Sequence, residues 1–204
     1  MISNAKVLMF LTSFLFFHSA NAELLKLDSS NPASRITNDG LRLQSVGLGL
    51  RSKKVLLVTV KVYTAQLYVS DLSKFKKTSS ESLNSLVEAN PAAIQMIFQR
   101  DVDTEKIQSS FKEALLTNNV DLKKSEIQKF LEAVKNGGEV KEGKSLTILG
   151  TKKADGSETL AYEDSNLKIT TIVGGAGFIR DIFSIWLGKA SDAGIEKLKA
   201  EILK

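Results

Sequence analysis

The feature that most limits what this chain can become is the extended run LGLRSKKVLLVTVKVYTAQLYVSD at residues 48 to 71, which continues a β-prone pattern that begins at Leu41. Valine, leucine, threonine and tyrosine dominate it, and β-branched and aromatic side chains fit a pleated, half-buried backbone better than a helix. From Leu41 to Val69 the pattern reads as two long strands of a hairpin, with Arg51-Ser52-Lys53-Lys54 as the turn. A lone hairpin is marginal in water, so this one needs more strands beside it and a second layer over its apolar face.

The rest of the chain supplies both. A short helix is predicted over Ser82 to Ala89, broken by Asn90-Pro91, and Ala92 to Gln99 follows as a strand. Ile107, Phe111, Ala114 and Leu115 fall at i, i+4, i+7 and i+8, which marks a helix with Asp103 as its cap and Glu105 in its first turn. A second helix has Ser125 and Gln128 at capping-box spacing, an apolar face of Ile127, Phe130, Leu131 and Val134, and a stop at Gly137-Gly138. Extended segments at Ser145 to Thr151, Glu158 to Tyr162 and Leu167 to Val173 are separated by Asp155-Gly156 and Asp164-Ser165-Asn166. Helices near Phe178 to Leu187 and Ile195 to Leu203 close the chain. The expected fold class is α+β: an open-faced antiparallel β-sheet with a layer of α-helices on one face, and Phe111, Phe130 and Trp186 turned towards the sheet.

The first 22 residues carry Lys6, an apolar run from Val7 to Phe17, and Ala20-Asn21-Ala22, an A-x-A cleavage pattern. The run is too short to span a bilayer, which takes roughly 20 residues. Residues 1–22 therefore read as a signal peptide, 23–40 as a loose, polar N-terminal lead-in, and 41–204 as one domain. The mature chain is expected to start near Glu23 and to be periplasmic or secreted.

Removing that segment removes the only histidine, His18, and the chain has no cysteine. A Ser-His-Asp triad, a cysteine nucleophile, a disulfide, and a zinc site of the usual His/Cys kind are all ruled out for the mature protein. No catalytic residues, metal ligands or cofactor are expected. The charge balance is mildly basic, 28 Lys+Arg against 23 Asp+Glu. The basic pairs Lys53-Lys54, Lys76-Lys77, Lys123-Lys124 and Lys152-Lys153 are scattered and lack interleaved aromatics, so no nucleic-acid partner is expected and membrane contact is at most peripheral.

Two local motifs reduce to structure. Gly174-Gly175-Ala176-Gly177 stands between a strand and a helix, but Arg180 occupies the place of the last glycine in G-x-G-x-x-G, so a tight turn is expected there. Asp101, Asp103 and Glu105 are accounted for by capping and helix-dipole pairing rather than by a hard cation. Arg51 is harder to reduce, because it stands beside a mostly apolar strand, and its planar guanidinium suits a carboxylate.

The segment Val60-Lys61-Val62-Tyr63-Thr64-Ala65-Gln66-Leu67-Tyr68-Val69 resembles the K-(V/I)-Y-x-A-x-L-Y strand of bacterial proteins with a chalcone isomerase-like domain. Phe98-Gln99-Arg100-Asp101-Val102, running into a helix with Lys106 and Ile107, and Ile185-Trp186-Leu187-Gly188 fit as well. The resemblance covers most of residues 41 to 203. It implies a ligand cleft between sheet and helices, and it puts Arg51 on the arginine position of the plant enzymes' site. The remaining positions depart: Tyr63 replaces a threonine, Lys106 a tyrosine, Glu113 an asparagine and Ile185 a late hydroxyl, so the flavanone-forming reaction is not implied.

Non-catalytic relatives of that fold resemble fatty-acid binders. The expected function is thus an exported, non-catalytic binder of a fatty acid or other small apolar carboxylate, with Arg51, Tyr63 and Tyr68 as ligand-binding residues. Two alternatives stand beside it: an isomerase or lyase using Arg51 and Tyr63, and an envelope interaction protein whose cleft is closed by side chains. If Arg51 anchors a ligand carboxylate, Arg51→Ala is expected to weaken binding and to leave fold stability nearly unchanged.

Overall fold

Alternation along the two longest strands sets the architecture, which is seen in a computed structural model describing residues 23–204. The expected signal peptide, residues 1–22, lies outside the described residues. Eight strands form one sheet: β1 (Leu25–Leu27), β2 (Ser34–Thr37), β3 (Arg42–Val55), β4 (Val58–Val69), β5 (Ala92–Phe98), β6 (Ser145–Lys152), β7 (Glu158–Glu163) and β8 (Ile169–Gly174). Their spatial order is their sequence order, and every neighbouring pair is antiparallel. This curled meander is the antiparallel sheet expected from the sequence. Five helices accompany it among the described residues: α1 (Ser82–Glu88), α2 (Thr104–Thr117), α3 (Ser125–Asn136), α4 (Phe178–Leu187) and α5 (Ala193–Ile202).

On β4, Tyr63, Ala65 and Leu67 turn towards the helices and join the main core, which also holds Phe111, Phe130 and Trp186 as expected. Tyr68, at odd spacing from Tyr63, turns the other way into a small second cluster with Leu24, Leu25, Leu43 and Ala93. The helix layer thus sits over one face of the sheet.

Helix α5 approaches that face closely because β3 carries glycine at two positions beneath it. Gly47 and Gly49 both point at the helix, and a Cβ on Gly49 would stand 2.5 Å from the carbonyl oxygen of Leu198, while one on Gly47 would collide with that of Ile202. The Glu201 carboxylate then accepts a bond from Leu50 N at 2.7 Å. The next residue on that strand face is Arg51, which pairs across the ladder with Tyr63.

Four local expectations need correction. The hairpin turn is not Arg51 to Lys54: β3 continues to Val55, and the loop is Leu56-Leu57. Charge at 51–54 looked like a turn, but it marks a ribbon: β4 pairs with β5 only from Tyr63 to Val69, so residues 52–61 project past the sheet as two strands on their own. Residues 23–40 are not loose, since β1 and β2 add two strands to the sheet. Asp103 stands at the N-cap of α2 but its carboxylate goes to Lys106 at 2.5 Å instead of to the backbone. Ser125 is already the first residue of α3, and its hydroxyl bonds Glu126, so no capping box forms.

Candidate ligand-binding site

A cavity of about 640 Å³ opens between the base of the β3–β4 ribbon and helices α2 and α5. Its inner wall is apolar and aromatic: Phe98 from β5, Ile107, Phe111 and Ala114 from α2, Ile185 from α4 and Ile195 from α5, all buried. Its size falls within the range of about 300–1,000 Å³ found for small-molecule sites. The cleft is open rather than closed by side chains.

A bulge shapes the sheet side of this space. Arg51 pairs with Tyr63 and Ser52 with Lys61, which leaves Val62 as an extra residue on β4. Beyond it the strand faces are re-phased, so that Val60, Val62 and Tyr63 all line the same cavity.

Arg51 is the one buried charge in the lining, 7% exposed. Its Nη1 donates to the carbonyl of Ser52, and its Nη2 donates to Asp192 Oδ2 at 2.5 Å. Asp192 is the N-cap of α5: its Oδ1 accepts from Gly194 N at 2.8 Å and Ile195 N at 2.9 Å. Gly194 lets the guanidinium approach the helix start, where a Cβ would collide with Nη1. Arg51 is therefore held by the protein itself and ties the sheet to α5.

Tyr63 sits beside it, buried, with its Oη accepting from Trp186 Nε1 at 3.2 Å. Burial pushes the phenol up to about 12, against smaller opposing effects of the Trp186 bond and the Arg51 charge. It stays protonated at neutral pH, with its own O–H available to a ligand oxygen. Around this pair the exposed rim carries Lys53, Arg100 and Lys106 against Asp101, Glu105 and Glu113. Asp192 lines the cavity as well, so these carboxylates outnumber the rim cations by one, and that extra carboxylate is the partner of the buried Arg51 guanidinium.

Of the three residues expected to bind ligand, the structure brings together Arg51 and Tyr63. Tyr68 is on the opposite face of β4, in the second cluster, and does not line the cavity. The spacing of five residues between the two tyrosines carried that signal, because odd spacing on a regular strand means opposite faces. Lys106, Glu113 and Ile185, the positions matched to the plant enzymes' set, also line the cavity. Asp192 was legible as a helix cap, but its pairing with a residue 141 positions away was not.

Both motifs make contacts within the protein. Gly177, at φ +91, starts α4, and Glu158 occupies that helix's first amides, accepting from Gly177 N at 3.1 Å and Ile179 N at 2.7 Å. That carboxylate takes the place a phosphate would have to occupy. Asp101 and Asp103 pair with Lys141 and Lys106, and no group of three potential metal-ligating side chains occurs among the described residues.

A family model described as chalcone isomerase-like matches residues 26–204. Among solved structures, the crystal structure of an Arabidopsis thaliana fatty-acid binding protein is similar with a TM-score of 0.54 and 15% sequence identity, over 88% of this chain and 97% of that chain. That similarity establishes a shared fold. No protein with a curated description matches the sequence.

Proposed function

The chain belongs to the chalcone isomerase-like family, and from that premise we propose that it is an exported, non-catalytic binder of a fatty acid or similar small apolar carboxylate. The observation that carries this reading is the buried Arg51 guanidinium in the wall of an otherwise apolar cavity of about 640 Å³. The acyl chain lies along Phe98, Ile107 and Phe111, and the carboxylate meets the N–H groups of Arg51 that Ser52 and Asp192 leave over, together with the Tyr63 hydroxyl. A charge-assisted contact in a water-poor site discriminates an acid from its neutral analogue. The similar Arabidopsis structure, described as a fatty-acid binding protein, supports the same reading.

Burial pushes the Tyr63 phenol up to about 12, so it is protonated at neutral pH and supplies a donor rather than a base; for the isomerase or lyase alternative a base would have to come from elsewhere in the cavity. Export rests on the apolar run Val7 to Phe17 and on Ala20-Asn21-Ala22, and it places the mature protein in the periplasm or outside the cell.

Native mass spectrometry of protein isolated from its own compartment tests both parts. The expected result is a chain beginning at or near Glu23 that carries one acyl-sized mass. A chain that retains Met1 contradicts export, and protein that arrives empty and takes up no added fatty acid contradicts the binding role.

A further inference from the structure

The tip of the β3–β4 ribbon breaks the turn rules that its own backbone imposes. Leu56 and Leu57 form its two-residue loop, and Leu56 sits at φ 54. That left-handed conformation is normally left to Gly, Asn or Asp in a hairpin, because a bulky side chain is strained there. Both leucines stand in solvent, 91% and 92% exposed, and the adjoining Val58 is 63% exposed. A turn selected for folding alone has no use for these three side chains, and local rules of this kind are broken most often where function demands it.

The charges around the tip point to what covers it. From Gly40 to Ser70 the chain has no Asp or Glu. Lys53, Lys54 and Lys61 stand exposed on the projecting ribbon, and none forms an ion pair among the described residues. An apolar point collared by free ammonium groups is complementary to a bilayer whose surface carries anionic headgroups: the leucines enter the acyl boundary while the lysines remain at the phosphates.

We propose that Leu56-Leu57-Val58 inserts shallowly into an anionic phospholipid membrane, held by Lys53, Lys54 and Lys61. Lys53 and Val60, paired on the ribbon, also line the cavity. They lie three or four residues from Leu56, about 10 Å at strand spacing, so docking sets the cavity mouth just above the lipid surface. The docking stands whether or not the cavity holds a fatty acid, and it is measured without one.

The test is co-sedimentation of the processed protein with vesicles of phosphatidylcholine alone and with vesicles rich in phosphatidylglycerol, at low and high salt. Binding is expected only to the anionic vesicles and is weakened by salt. Each of Lys53→Gln, Lys54→Gln and Lys61→Gln should lower the partition coefficient about fivefold. The double variant Leu56→Ser, Leu57→Ser should lower it at least tenfold. These side chains are exposed, so unchanged circular dichroism and melting would confirm that the variants fold. No binding to anionic vesicles, or equal binding by the wild type and the double variant, overturns the proposal. Self-association that the double variant abolishes, without vesicle binding, overturns it in favour of a second copy of the chain. Dodecanoate titration without vesicles reports on the cavity separately, so a failed cavity and a failed tip are distinguishable.

Discussion

Tyr63 and Tyr68 lie on one strand, both buried, and they face opposite ways. Tyr63 faces the helix layer, where the packing leaves a cavity, and its hydroxyl is tied to Trp186 beside the Arg51 guanidinium. Tyr68 faces away, in a tight cluster with Leu24, Leu25, Leu43 and Ala93. The Arg35 guanidinium lies 5.2 Å from its ring centroid. Burial alone therefore does not distinguish a cavity-lining residue from a packing residue. What separates them is whether the face each one occupies is filled.

The largest expected effect is on the filled face. Tyr68→Ala leaves a hole where no cavity exists and should cost about 3–5 kcal/mol of stability, as for other large aromatic truncations in cores, without altering ligand affinity. Thermal or denaturant melts with parallel dodecanoate titrations check this. A loss of affinity larger than the loss of stability would put Tyr68 back among the ligand contacts.

Next in size is Arg51→Ala on the open face. It breaks the bonds to Ser52 and Asp192 and should lower stability by about 1.5–3 kcal/mol, in contrast to a residue that serves only a ligand. Denaturant midpoints measured without ligand decide it.

Asp192→Asn separates the two duties of Arg51. Asparagine caps a helix about as well as aspartate, so α5 should keep its first turn. Removing the internal carboxylate frees the guanidinium for an external one. Dodecanoate affinity should rise by about fivefold, near 1 kcal/mol, the scale of a partly exposed ion pair. Calorimetry checks the sign, and a fall in affinity would mean that Asp192 positions Arg51 rather than competing for it.

The smallest effect is a pH dependence on the filled face. Glu163 is buried there, 2% exposed, and accepts from Leu24 N at 2.6 Å. Burial raises its pKa, with the Leu24 bond opposing. A folded-state pKa above the unfolded one contributes stability that is fully present below the unfolded value and is lost as pH rises through the folded value. Glu163→Gln should therefore gain on the wild type as pH rises from about 4 towards neutrality. Melting temperatures across that range test it.

Much of the fold was legible because it rests on local periodicity. The antiparallel segments, the helical stripes of Phe111 and Phe130, and the Gly137 stop each depend on near neighbours. The turn at Leu56-Leu57 was missed because its residues contradict turn chemistry, and the four-residue basic cluster ahead of it looked more like a loop. Arg51 and Tyr63 were found through a family-like motif and a planar cation beside an apolar strand. Asp192 was not, since no local pattern reports an ion pair closed by the docking of α5 onto two glycines of β3. The placement of Tyr68 was available from strand parity alone.

The central claim is that the buried guanidinium selects a carboxylate in the open cavity. Its most direct test is calorimetric titration of dodecanoate and of dodecanol, matched in chain length, into the wild type, Arg51→Lys and Tyr63→Phe at fixed salt. The account predicts that the wild type binds the acid well ahead of the alcohol. Arg51→Lys should lose about tenfold for the acid alone, because an ammonium keeps the charge but not the fork, and Tyr63→Phe should lose less. Equal affinity of the wild type for acid and alcohol, or acid binding unchanged by Arg51→Lys, would contradict it and leave Arg51 as the tie between sheet and helix.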